Sequence, residues 1–128
     1  MRAMEGLRNM LKQETGAEVY INHFPLEDEG APSLCVSEYG GAFPGGINYG
    51  VCARRVQIAA RAARCAEAEA LAEQVFHLLD SGGEEEEIDL GEPAGKIISR
   101  PRHTPLFIEE DKNGRAVFGV NFVIHGAV

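Results

Sequence analysis

Between Val51 and Ser81 the hydrophobic period changes once, and that change limits what the chain can become. In Arg55-Val-Gln-Ile-Ala-Ala-Arg61, Val56, Ile58 and Ala60 alternate with Gln57, Ala59 and Arg61. Period two puts one set on each face of a strand. Further on the spacing lengthens: Ala68, Leu71, Ala72, Val75, Leu78 and Leu79 form a single apolar stripe at helical period. Glu67, Glu73, Gln74, His77 and Asp80 take the other side. Glu67 and Glu69 stand near the helix start, where carboxylates suit the macrodipole. Gly82-Gly83 supplies the left-handed residue that commonly ends a helix. A helix with one apolar stripe needs a sheet or another helix to cover it, so the rest of the chain has to provide that cover.

Met1 to Glu14 reads as a second amphipathic helix, with Ala3, Met4, Leu7, Met10 and Leu11 on one face and Thr15-Gly16 ending it. Glu18 to Phe24 is rich in strand formers and is closed by Pro25; Ser33 to Tyr39 is the next strand. Lys96 to Arg100 is a short strand. Leu106 to Glu110 and Arg115 to His125 flank Asp111-Lys-Asn-Gly114, a hairpin signal. In the last of these, Phe118, Val120, Phe122 and Ile124 share one apolar face. The order is helix, two strands, loop, strand, helix, three strands. It lacks the strand–helix–strand repeats of a nucleotide fold, and it predicts an α+β domain: a largely antiparallel sheet of about five to six strands with both helices on one face.

Two stretches stand outside this pattern. Gly40 to Gly50 holds Gly40, Gly41, Gly45, Gly46, Gly50 and Pro44, with Phe43, Ile47 and Tyr49 between them. Those breakers exclude a central strand or helix. The three large apolar residues either tuck onto the core or wait for a partner. Glu84-Glu85-Glu86-Glu87 is a run of like charge, ordinarily a solvated loop, with Ile88 and Leu90 placed to pin its end.

At 128 residues the chain is expected to form one domain, 1–128. That length buries roughly two thirds of the unfolded surface, enough to fold without metal or disulfide. A formal net charge of −8 disfavours gripping a phosphate backbone, and no apolar run approaches the ~18 residues of a membrane span. The N-terminus lacks the continuous apolar core of a secretory signal. Cys35, Cys52 and Cys65 are odd in number and have no CxxC spacing, which argues against a disulfide framework or zinc site and for reduced thiols.

Catalytic patterns are sparse. The glycine-rich stretch lacks G-x-x-x-x-G-K-[ST] and holds no Lys or Arg, so phosphate binding is disfavoured. His23, His77, His103 and His125 fall in four elements with no H-x-x-x-H spacing. Nothing pairs one of them with a cysteine. Cys65 sits at a helix start, where a thiol pKa can fall, but a small residue at a helix entrance is the plainer reading. No catalytic residue, cofactor or metal ligand is assigned. A binding or structural protein is what these residues support by themselves.

The order of certain motifs adds to that reading. Pro25 follows the first strand, Ser-Glu-Tyr-Gly-Gly41 ends the second, and Val-Gln-Ile-Ala-Ala-Arg61 enters the helix containing Ala68 to Leu79. Pro105-Leu-Phe-Ile-Glu-Glu-Asp111-Lys-Asn-Gly-Arg115 then leads to Val-Asn-Phe-Val-Ile-His125. Together, from Val19 to His125, these resemble the phage minor capsid and tail-completion family, similar to tail terminators. The resemblance implies a small non-enzymatic structural protein of a phage or prophage, folded in the bacterial cytoplasm and built into the virion at the head–tail joint. It implies a ring, six copies by that likeness, capping the tail tube and joining it to the head connector or stopper protein. It implies no cofactor, no membrane and no specific nucleic acid. On this reading Phe43, Ile47 and Tyr49 are candidate assembly contacts. Glu84, Glu85, Glu86 and Glu87 are a candidate lining for a DNA channel, where like charge lets DNA pass without sticking. A minor capsid or other virion role is the first alternative; a cysteine-dependent enzyme and a small-molecule module are the others.

Overall fold

The computed structural model describes residues 2–25, 31–38, 51–80, 88–90, 96–101, 103–112 and 114–127. Helix α1 (Arg2–Thr15) leads into strand β1 (Glu18–Ile21). It ends where sequence indicated. Gly16 takes a φ of 72° and its N–H donates to the Lys12 carbonyl at 2.9 Å, the left-handed stop that glycine adopts without a Cβ penalty. Thr15 reinforces the end: its hydroxyl donates to the Leu11 carbonyl at 2.6 Å and accepts the Ala17 N–H at 3.2 Å.

Strand β1 is shorter than its composition predicts, closing at Ile21 instead of Phe24. Asn22 is the cause. It adopts a φ of 74°, a conformation that asparagine tolerates better than most residues. Its N–H still donates to Val36 at 2.9 Å, and the chain then turns away from the ladder.

Strand β2 (Ser33–Glu38) lies parallel to β1. Strand β3 (Val51–Ala62) runs antiparallel to β2 and feeds helix α2 (Cys65–Leu79). Strand β4 (Ile88–Asp89) pairs with β5 (Lys96–Pro101); β6 (Leu106–Glu110) and β7 (Ala116–Ala127) complete the chain. The sheet order is β1-β2-β3-β7-β5-β4, with β6 also on β7. Strands β5 and β6 share one edge of β7: β5 takes Phe122 to Gly126 and β6 takes Ala116 to Gly119. The α+β class and the largely antiparallel sheet are as expected from sequence. The seventh strand is the two-residue β4, where Ile88, with Leu90 after it, packs half-buried against the core.

The period change at the centre of the chain fixes the layers. Val56, Ile58, Ala60 and Ala62 of β3 face the core, with Leu34 and Val36 of β2 and Val120, Phe122 and Ile124 of β7 alongside. Ala68, Leu71, Ala72, Val75 and Leu79 of α2 and Met4, Leu7 and Leu11 of α1 join the same cluster. The buried alanines Ala60, Ala62, Ala68 and Ala72 leave room for close backbone approach of helix and sheet. Burying a leucine such as Leu7 or Leu11 contributes roughly 1.5–3 kcal/mol, so α1 is held by its stripe and not by helix propensity. At its other end α2 stops at Asp80, whose φ of −83° and ψ of 106° are extended. Gly82-Gly83, expected to end this helix, lies outside the described residues.

Candidate functional site

The helices cover one face of the sheet, and the other face carries the features that packing does not absorb. Its floor is the out-facing set of β3, Gln57, Ala59 and Arg61, with Cys35 and Ser37 from β2 and Val117 and Gly119 from β7 in register beside them. Two segments rise over it. One is the exit of β1, redirected by Asn22. The other is the β6–β7 hairpin. Between them lies a cleft of about 430 Å³ lined by Phe24, Cys35, Gln57, Arg61, Ile108 and Val117 among others.

An ion cluster ties these segments together. Asp111 Oδ2 accepts from Arg115 Nε at 2.8 Å, and Oδ1 accepts the Arg115 backbone N–H at 2.9 Å. Arg61 Nη1 lies 3.6 Å from the same carboxylate. The guanidinium of Arg61 also donates through Nη2 to the Pro25 carbonyl at 3.1 Å and stacks over the Phe24 ring, 4.2 Å from its centroid. The side chains of Arg61 and Arg115 are 5% and 6% exposed. Their charge is therefore held by charge and by hydrogen bonds in a site with little water.

The hairpin itself is built from local rules. Asp111 N–H donates to the Arg115 carbonyl at 2.8 Å and Gly114 N–H to the Asp111 carbonyl at 3.0 Å. The loop is thus three residues, 112–114, with Gly114 at a φ of 77°. Within β6 the register slips between Phe107 and Glu109. Ile108 is the extra residue of that bulge and folds over Gly119; a Cβ there would collide with Ile108 Cδ1. Phe107 instead meets Phe118 edge-on, with ring centroids 5.5 Å apart.

Nucleophilic chemistry finds little footing here. Burial pushes the Cys35 thiol up to about 11, against a lowering pull from Arg61, so it is protonated near neutral pH. Cys65 is exposed at the first position of α2, and Cys52 lies on β3. His77 is exposed on the polar side of α2, as expected. Among the described residues no three His, Cys, Asp or Glu side chains group to hold a metal ion, and no helix is long and apolar enough to cross a membrane. Phe43, Ile47, Tyr49 and Glu84 to Glu87, the positions singled out from sequence, lie outside the described residues.

A family profile described as bacteriophage tail terminator protein matches residues 5–128. The chain belongs to the bacteriophage tail terminator family. No curated protein matches it. Membership makes it a phage tail structural protein, a virion component whose work is contact with other tail and head proteins. For such a terminator the surfaces described above are candidate contacts. Sequence reasoning passed over two of them. The Arg61–Asp111–Arg115 cluster brings together residues fifty positions apart, which no local pattern announces. The β6 surface had a signal: Leu106-Phe107-Ile108 is apolar without alternation, and a strand cannot turn three consecutive side chains toward one core.

Proposed function

We propose that this terminator forms a ring, six copies by family likeness, that caps the head-proximal end of the tail tube and presents a docking surface to the head connector or stopper protein. The family match over residues 5–128 carries the reading. The structure supports it in kind: a rigid sheet is backed by two helices on one face, and its remaining surface suits contact more than chemistry. One domain, 1–128, serves as the ring subunit. Phe43, Ile47 and Tyr49 supply apolar contacts between assembled parts, and Glu84 to Glu87 face the channel through which DNA leaves. No cofactor enters this work.

Antibody labelling of intact particles by electron microscopy tests the placement. Label confined to the junction of head and tail is the expected result. Label spread over the capsid shell would transfer the protein to a minor capsid role, and label on free tails at the far tip would remove the joining function.

A further inference from the structure

On the open face of the sheet, register sets Cys35, Ala59, Gly119 and Leu106 level with one another across β2, β3, β7 and β6. Cys35, Ala59 and Gly119 are small, so the floor is low along this row. Larger groups rise at its two sides. The Phe24 ring stands over Arg61 at the β1 exit, and Ile108 folds over Gly119 with Leu106 beside it on the same face. Phe107 lies on the opposite face with Phe118 and takes no part. Leu106 and Ile108 remain 54% and 44% exposed, so this side of the cleft offers apolar surface that packing does not use up. The enclosed volume of about 430 Å³ is of ligand-site size. It equals a cube of about 7.5 Å a side, whereas an α-helix with its side chains is about 10–12 Å across. What fits is a side chain or two from an extended segment, not a helix.

We propose that this trough docks an extended segment of a different virion protein, one that sets a large apolar side chain against Ala59 and Ile108 and carries a lysine or arginine for Glu109 and Glu110. This rests on the reading above that the chain works in the virion by contact, and it names the surface and the chemistry of one such contact. Charge selects the occupant. Glu109, Glu110 and Lys112 line the mouth and are exposed. None of the three is ion-paired among the described residues, so the exposed mouth carries one more negative charge than positive. Arg61 and Arg115 do not alter what an arriving segment meets: their side chains are 5% and 6% exposed and turn inward to Asp111. The whole chain, at −8, adds to the same field.

The same charges disfavour other occupants. A second copy of this chain, among its described residues, has its exposed large apolar side chains on β6 alone. They stand beside its own Glu109 and Glu110, so offering them would bring acid pair against acid pair, a juxtaposition that rejects a partner. A nucleic acid, itself a polyanion, meets the same repulsion. An extended segment with an apolar anchor and a nearby cation satisfies both parts of the site. Side chains along it alternate, so the anchor points to the floor while its neighbours point away from it. At ~3.4 Å per residue, a cation within about three positions of the anchor reaches the rim. Burial of the anchor supplies affinity, and the cation supplies orientation and partner choice.

His23, exposed on the β1 side of the mouth, is the place for a photoreactive probe. The full chain carrying His23→p-benzoylphenylalanine is built into particles of a phage lacking its own copy of the gene, irradiated, and the adducts are sequenced by mass spectrometry. Adducts with another virion protein are expected, in a segment holding a large apolar residue and a lysine or arginine within about three positions of it. Adducts only with this chain, adducts in an acidic segment, or no adducts overturn the proposal. An adduct of the expected kind on a capsid shell protein keeps the docking site and removes the placement at the head–tail joint; a chain found at the joint without such adducts does the reverse. Particles without the chain overturn both. Two variants in the photoreactive chain separate the parts of the site. Leu106→Ser, and Glu109→Lys with Glu110→Lys, change exposed side chains outside the Asp111 cluster, so the melting temperature should hold. Adduct yield should fall about tenfold in each, as for loss of a central contact. An unchanged yield in either variant overturns the chemistry assigned to the trough.

Discussion

Replacing Asp111 by alanine should be the most damaging single change on the open face of the sheet. The carboxylate is 18% exposed and stands between guanidiniums that are 5% and 6% exposed. It accepts from Arg115 Nε at 2.8 Å and from the Arg115 backbone at 2.9 Å, and lies 3.6 Å from Arg61. Removing one partner of such a buried pair typically costs about 3–5 kcal/mol, because the remaining charge stays desolvated. The partial exposure of Asp111 places the expected cost at the lower end, ~3 kcal/mol. For a domain of this size that lowers the melting temperature by about 12 °C, at ~4 °C per kcal/mol. Asp111→Asn keeps an acceptor for the Arg115 N–H and loses only the charge, so about half that cost is expected. Asp111→Ala combined with Arg115→Met should recover part of the loss, since no guanidinium then remains at position 115. Urea denaturation of the three variants measures the series through the midpoint at constant slope. A cost below ~1 kcal/mol for Asp111→Ala would place the cluster among ordinary surface pairs and refute the reasoning.

Further tests address packing, ionisation and charge. Gly119→Ala should cost about 1–3 kcal/mol by overpacking, because its Cβ meets Ile108 Cδ1; combining it with Ile108→Val, which removes that atom, should cost less than the sum of the two single changes. The Cys35 thiol, raised from an ordinary 9.0 to about 11, keeps its proton longer folded than unfolded. Its contribution to stability is therefore full below pH 9 and is lost as pH rises through 11; the Cys35→Ala variant should show a correspondingly flatter decline in stability over that window. At pH 7.5 Cys35 should resist alkylation in the native protein while Cys65, exposed, reacts; equal rates would contradict the burial of Cys35. Replacing Glu84, Glu85, Glu86 and Glu87 together by lysine should slow or block DNA passage in assembled phage if they line the channel, and unchanged ejection would make them a solvated loop.

What sequence revealed of this fold follows the range of each signal. The α2 stripe and the alternation of β3 and β7 are repeated over many residues, and each repeat reports the same buried face. That is why Val56, Ile58, Phe122 and Leu71 could be assigned to one core before any coordinates. Boundaries depended on single residues. Phe24 has strand propensity, yet Asn22 turns the chain first and frees the Phe24 ring to stack on Arg61. The Asn-Gly pair announced the hairpin, but the loop length of three was set by how Asp111 bonds to Arg115 and Gly114. The parallel β1–β2 pairing and the ion cluster depend on long-range register, which no local pattern carries. Leu106, Phe107 and Ile108 form an apolar run without alternation in the sequence, and the structure leaves each of them about half exposed, Phe107 against Phe118 and Ile108 over Gly119.

The joining role is tested most directly by electron microscopy of particles from a phage that lacks this gene. DNA-filled heads beside separate tails, with tails of uneven length, are the expected result, and supplying the intact chain should restore joined particles. Intact joined particles in the absence of the chain would contradict a role at the head–tail joint.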